Sequence, residues 1–209
     1  MKDRNELNYM LYLVSDKDIL KNKDLIESLE EAILGGVTIL QIREKDDSTL
    51  DFYKEAIKVK QLTKKYNIPY IVNDRLDIAL AVDADGVHLG QGDMPLNIAR
   101  NLLGPDKIIG VSVHNIEEAL EAQACGADYI GVGAIFNTST KKDAINVTIA
   151  SLEEIKKSVS IPVIAIGGIN YLNAKQVIQT GIDGIAVVSA ILGEKNIRNA
   201  SEKLISLYP

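Results

Sequence analysis

The chain has 209 residues, 46% of them hydrophobic and 25% charged, with a formal net charge of −6. That is enough chain to bury a large core, in the balance of a folded globular domain rather than a disordered segment. The acidic surplus excludes a general nucleic-acid-binding or membrane-binding surface, so any anion site must rest on local cations.

In chain order, the polar, mixed-charge residues 1–7 carry no apolar core of the kind a signal peptide needs. Short apolar runs then predict strands at 9–14, 37–43, 70–73, 86–89, 108–113, 129–133, 163–166 and 184–188. Amphipathic patterns such as 24–34, 50–66, 116–124 and 172–180 predict helices between them. Near-continuous apolar runs are the mark of buried parallel strands. A junction recurs where a helix gives way to a strand: Gly35-Gly36-Val37-Thr38, Ala84-Asp85-Gly86-Val87, Gly126-Ala127-Asp128-Tyr129 and Gly181-Ile182-Asp183-Gly184. Glycine supplies the left-handed helix cap. Pro69 and Pro162 each enter a strand, where a missing N–H costs little.

Eight strand–helix units in a chain this short predict a single α/β domain spanning 1–209, closed as a (β/α)8 TIM barrel. The open doubly wound alternative wants a glycine-rich turn after its first strand. Here Ser15-Asp16-Lys17-Asp18 follows instead. No apolar run reaches the roughly 18 residues of a membrane span. The lone cysteine, Cys125, cannot form an intrachain disulfide and reads as a small residue at a helix end. A cytoplasmic protein is expected, and a homo-oligomer is left open.

In such a barrel, chemistry gathers where strands end. The second predicted strand ends in Gln41-Ile42-Arg43-Glu44-Lys45 and the third in Asn73-Asp74. The fourth leads to Asp93, the fifth carries Ser112, and the sixth runs into Thr138-Ser139-Thr140-Lys141-Lys142-Asp143. The seventh ends at Gly167-Gly168 and the eighth at Val188-Ser189. Strand alternation turns Gln41, Arg43 and Lys45 toward the barrel axis if Leu40 and Ile42 pack outward. Those cations call for an anion, or for a buried network with barrel carboxylates. Asp74 and Asp93 close adjacent strands and can converge on a magnesium ion; each can equally cap a helix. The threonines, serine and lysines after the sixth strand suit phosphate, as do the glycine pair and Ser189. Two anion sites imply two phosphorylated substrates or one bisphosphate. His88 and His114 can serve as acid or base, or as satisfied barrel residues.

Taken together, Gln-Ile-Arg-Glu-Lys at 41–45, Ile-Val-Asn-Asp at 71–74, Gly-Val-His-Leu-Gly-Gln at 86–91 with Asp93, Gly-Val-Ser at 110–112, Thr-Ser-Thr-Lys-Lys-Asp at 138–143, Ile-Gly-Gly-Ile at 166–169 and Val-Ser-Ala at 188–190 resemble the signature set of thiamine-phosphate synthases. The resemblance spans most of the chain. It implies a magnesium-dependent transferase that joins hydroxymethylpyrimidine diphosphate to a thiazole phosphate. It further implies that Gln41, Ile42, Arg43, Glu44, Lys45, Asn73, Ser112 and Lys141 hold the pyrimidine diphosphate, with Arg43, Lys45, Ser112 and Lys141 in catalytic roles. Asp74 and Asp93 would bind magnesium. Thr138, Ser139, Thr140, Gly168, Val188 and Ser189 would hold the thiazole phosphate. Two other readings stand beside it. A thiazole tautomerase would need a proton-transfer residue such as His88 or His114 but no diphosphate–magnesium cluster. A non-catalytic binder of the same precursors would use the same residues.

Overall fold

The computed structural model describes residues 7–138 and 145–208. Its elements alternate along the chain as β1 (Leu11–Val14), α1 (Lys17–Leu20), α2 (Leu25–Leu34), β2 (Ile39–Ile42), α3 (Thr49–Tyr66), β3 (Tyr70–Asn73), α4 (Leu76–Ala81), β4 (Gly86–Leu89) and α5 (Leu96–Leu103). The second half follows as β5 (Ile108–Val113), α6 (Ile116–Ala124), β6 (Tyr129–Val132), α7 (Ile149–Ser158), β7 (Val163–Ile166), α8 (Ala174–Ile178), β8 (Gly184–Val187), α9 (Ser189–Leu192) and α10 (Ile197–Ile205). All neighbouring strands pair in parallel, and β8 closes on β1, so the sheet is the expected closed barrel.

Strand parity sorts the side chains into two apolar shells. Leu11, Leu13, Leu40, Ile42 and Val72 pack outward into the layer beneath the helices. Tyr12, Val14, Ile39, Ile71, Tyr129 and Ile164 fill the barrel interior. Val37 shares the parity of Ile39 in sequence yet joins the outer shell, because the ladder of β2 begins only at Ile39. Two barrel glycines make room for large neighbours. A Cβ on Gly110 would lie 2.0 Å from the Tyr129 ring, and one on Gly131 would lie 3.1 Å from the His88 ring.

The recurring junction does more than cap helices. Gly36, Gly126 and Gly181 take the left-handed conformation, while Gly35 does not and Asp83 takes that role before β4. In the three junctions that carry an aspartate, it accepts from an N–H at the start of the preceding strand. Asp85 binds Tyr70 N at 2.8 Å, Asp128 binds Ile109 N at 2.7 Å and Asp183 binds Val163 N at 2.7 Å. Each carboxylate is itself held by a cation, Lys60, Arg100 or Lys156. Thr38 does the same for Leu11 at 3.1 Å. These ties lie at the strand starts, away from the C-terminal strand ends, and serve stability. The helix expected over 172–180 is shorter, Ala174–Ile178, because Asn170 and Asn173 form side-chain turns with Leu172 N and Asn170 N before it. Among the described residues, no helix is long and apolar enough to cross a membrane.

Candidate active site

The strand ends surround a cavity of about 460 Å³, well within the range that encloses small ligands. Gln41, Arg43 and Lys45 line it together, as alternation requires, along with Asn73, Asp74, Asp93 and Ser112 from the adjoining strand ends. Arg43 is aimed by the β1–α1 turn. Ser15 Oγ accepts its backbone N–H at 2.9 Å, and its guanidinium lies 3.2 Å from Asp16 Oδ2. One barrel carboxylate therefore partners Arg43, but on the flank of a cavity rather than in a closed network.

The side chains of Ile42 and Glu44 point away from the cavity. Both were expected beside the diphosphate, and neither side chain lines the cavity. Ile42 is fully buried in the outer shell. Glu44 turns to Lys17, whose ammonium reaches Glu44 at 3.4 Å, Asp47 at 2.5 Å and Glu55 at 2.8 Å. The physical reason is the two-residue repeat of an extended chain: neighbours of an inward residue face outward. The three carboxylates cluster closely enough to suggest a cation site, and Lys17 is the cation among them. Burial pulls the Lys17 pKa down, but hydrogen bonds to Asp47 and Glu55 and the Glu44 charge hold it above the usual lysine range.

Burial pushes the Glu44 carboxyl up to about 7, with Lys17 opposing and Glu55 and Asp47 reinforcing the rise. A carboxyl whose pKa is raised in the folded state binds its proton more tightly there than in the unfolded chain. Its contribution to stability is present below the unfolded value of 4.5 and is lost as pH climbs through about 7. Glu44→Gln should therefore flatten the fall in stability across that window, read from urea midpoints at several pH values. An unaltered slope would clear Glu44 of responsibility.

Asp74 and Asp93 do converge. Neither caps a helix: the residues before α4 and α5 are Arg75 and Pro95, without side-chain caps. Asp74 sits at φ 59°, a left-handed conformation that aspartate tolerates better than most residues and that turns the chain sharply after β3. Asp93 folds back so that Oδ2 accepts Gly90 N–H at 2.7 Å. Burial, then a hydrogen bond and charge repulsion from Asp93, push the Asp74 carboxyl up to about 6, while Lys45 and Arg43 pull it down. Two half-buried carboxylates this close, with Asp93 raising the proton affinity of Asp74, form a hard-oxygen site. That donor set fits a magnesium ion.

Across the barrel, Thr138, Gly168, Val188 and Ser189 line the same cavity. In a ring ordered β1 to β8, β7 lies opposite β3, so this rim faces the cationic one. Gly167 and Gly168 adopt φ of 101° and 63°. A side chain on Gly168 would meet Asn137 O at 2.6 Å, so backbone alone can occupy that wall. Ser139, Thr140 and Lys141 lie outside the described residues.

Sequence reasoning overlooked the tyrosines. Tyr12 and Tyr129 are buried yet line the cavity, their hydroxyls 2.8 Å apart. Their polar tips gave no signal, because aromatic residues in a strand read as core. His88 is satisfied on both nitrogens, by Tyr129 and Ser112. His114 bonds Glu118 at 3.0 Å.

A family model described as "Thiamine monophosphate synthase" matches residues 11–191. A protein named thiamine-phosphate synthase from Clostridium acetobutylicum is 59% identical over 201 residues, covering 96% of this chain and 95% of that one. One of the same name from Alkaliphilus oremlandii is 58% identical over 204 residues, covering 98% of each. The solved structure of thiamine phosphate pyrophosphorylase from Pyrococcus furiosus superposes with a TM-score of 0.88 at 45% identity, over 98% of this chain and 96% of that one.

Proposed function

Because the chain belongs to the thiamine monophosphate synthase family and is accordingly a transferase, we propose that it joins 4-amino-2-methyl-5-hydroxymethylpyrimidine diphosphate to 4-methyl-5-(2-hydroxyethyl)thiazole phosphate, forming thiamine phosphate and releasing pyrophosphate. The observation that carries this reading is a single cavity with cations and paired carboxylates on one rim and a glycine–hydroxyl wall on the opposite rim. Gln41, Arg43, Lys45, Asn73 and Ser112, completed by Lys141, hold the pyrimidine diphosphate; Ile42 and Glu44 have only backbone to offer. Thr138, Ser139, Thr140, Gly168, Val188 and Ser189 hold the thiazole phosphate.

Asp74 and Asp93 would hold magnesium, which supplies positive charge to the departing diphosphate. Arg43, Lys45 and Lys141 attract that group more strongly as negative charge develops on it, which favours the transition state over the bound substrate. The methylene carbon–oxygen bond breaks and its electron pair leaves with the diphosphate. The electron-rich aminopyrimidine spreads the resulting positive charge, and the thiazole nitrogen lone pair forms the new carbon–nitrogen bond. No proton transfer and no protein nucleophile are needed. The cavity's part is to align the two rings and keep water from the cation. We further read the chain as one catalytic barrel domain working in the cytoplasm, on small phosphorylated molecules rather than nucleic acid or membrane.

The test is to incubate purified protein with both precursors, with and without magnesium. Thiamine phosphate and pyrophosphate should appear in equal amounts only when the ion is present, and their absence under both conditions would reject the proposal. Conversion of a thiazole tautomer alone would point to the isomerase instead.

A further inference from the structure

Five polar side chains from five strands join into one hydrogen-bonded path along the cavity wall. Gln41 Nε2 donates to the Tyr12 hydroxyl at 2.8 Å, and that hydroxyl lies 2.8 Å from the Tyr129 hydroxyl. The Tyr129 hydroxyl lies 2.9 Å from His88 Nδ1, and His88 Nε2 lies 2.9 Å from Ser112 Oγ. Gly110 and Gly131 leave the space in which Tyr129 and His88 cross the barrel. Burial raises both phenols far above neutrality, so each keeps its single proton.

Counting protons gives the path a direction. Tyr12 receives from Gln41, and the direction that leaves no donor on the path unused sends its own proton to the Tyr129 oxygen. Tyr129 then gives its proton to His88 Nδ1. A bare Nδ1 requires the proton on Nε2, which is donated to Ser112 Oγ. The Ser112 proton is left to point at the cavity.

We propose that this one-way path locks His88 as the neutral Nε2–H tautomer and so sets the polarity of both ends, with Gln41 Oε1 offering an acceptor and the Ser112 hydroxyl a donor to the bound heterocycle. Tyr12, Tyr129 and His88 are thereby positioning residues, and they determine ring specificity. The inference rests on the assignment of Gln41 and Ser112 to the pyrimidine substrate. An aminopyrimidine supplies the complementary pair, an amino donor and a ring-nitrogen acceptor. An oxopyrimidine presents a carbonyl and a ring N–H and mismatches both ends. Had the path run the other way, the preference would invert. Mismatched polar groups in a site built to bind them are rejected far more strongly than a missing methyl group.

Nitrogen-15 spectra of histidine-labelled full-length protein at neutral pH test the tautomer without any catalytic assay. The chain has 2 histidines, so a His114→Gln variant assigns both. A proton on Nε2 with a bare Nδ1 at His88 is the expected result; an Nδ1–H tautomer or an imidazolium overturns the proposal. Kinetics test the consequence. The wild-type kcat/KM should favour the amino over the oxo pyrimidine diphosphate by on the order of 100-fold, and Tyr129→Phe should cut that ratio about tenfold. An unchanged ratio in a folded variant also overturns the proposal, and if the variant does not fold, the spectra decide. Failure of the wild-type protein to use the amino substrate would instead defeat the functional reading, with the tautomer result standing apart from it.

Discussion

Asp93→Ala should lower magnesium-dependent turnover by about 2–4 kcal/mol of transition-state stabilisation, the scale seen when one pre-placed electrostatic group is removed from a reacting centre. The size follows from the company Asp93 keeps. It shares the cavity rim with Asp74, Arg43 and Lys45, and its charge is part of what raises Asp74 to about 6. Removing it leaves a lone carboxylate between two cations, which is a poorer site for a divalent ion. Asp93 also accepts the Gly90 N–H at 2.7 Å, so alanine would loosen the loop as well as remove charge. Asp93→Asn separates the two effects, since it retains an oxygen acceptor without the charge. Turnover measured across a magnesium titration should collapse in both variants, while the urea midpoint of the asparagine variant stays near wild type. Near-normal turnover in Asp93→Asn would remove the residue from the metal site.

Gly110→Ala should destabilise the fold by about 1–3 kcal/mol, the cost of forcing extra volume into a packed interior. The new Cβ would lie 2.0 Å from Tyr129 Cζ and 2.4 Å from its hydroxyl. Tyr129 has no room to retreat, for its ring is fully buried against Tyr9 and Tyr12, with centroids 5.4 and 5.9 Å away. The strain should also break the hydroxyl's bonds to Tyr12 and His88, so activity should fall with stability. Urea unfolding of the variant gives the first number. Shrinking the ring in Gly110→Ala/Tyr129→Leu should recover part of the loss relative to Tyr129→Leu alone. A variant as stable as wild type would show that β5 and β6 have slack the packing does not suggest.

Much of the cavity rim was legible in advance because strand alternation is a strict local rule. Given outward Leu40 and Ile42, the inward course of Gln41, Arg43 and Lys45 followed, and the structure agrees. The same rule turns the side chains of Ile42 and Glu44 away from the cavity, a distinction that the motif, read as a block of five, does not make. The junction aspartates were visible as a repeat, but their partners were not. Asp128 is bonded to Ile109 on the preceding strand and to Arg100 on a helix, pairings that depend on the register between β5 and β6.

By itself, the amino-acid sequence determined the alternation of strands and helices, the parallel barrel and the polar residues gathered at its C-terminal strand ends, because apolar periodicity and chain connectivity are local properties. Tertiary structure alone decided that Asp74 and Asp93 meet, that Lys17 draws Glu44 away from the cavity, and that Tyr12, Tyr129 and His88 join in one path. Each of these joins residues far apart in the chain or on different strands. Whether such groups touch depends on barrel closure, register and the space left by glycines, and no local pattern encodes those distances.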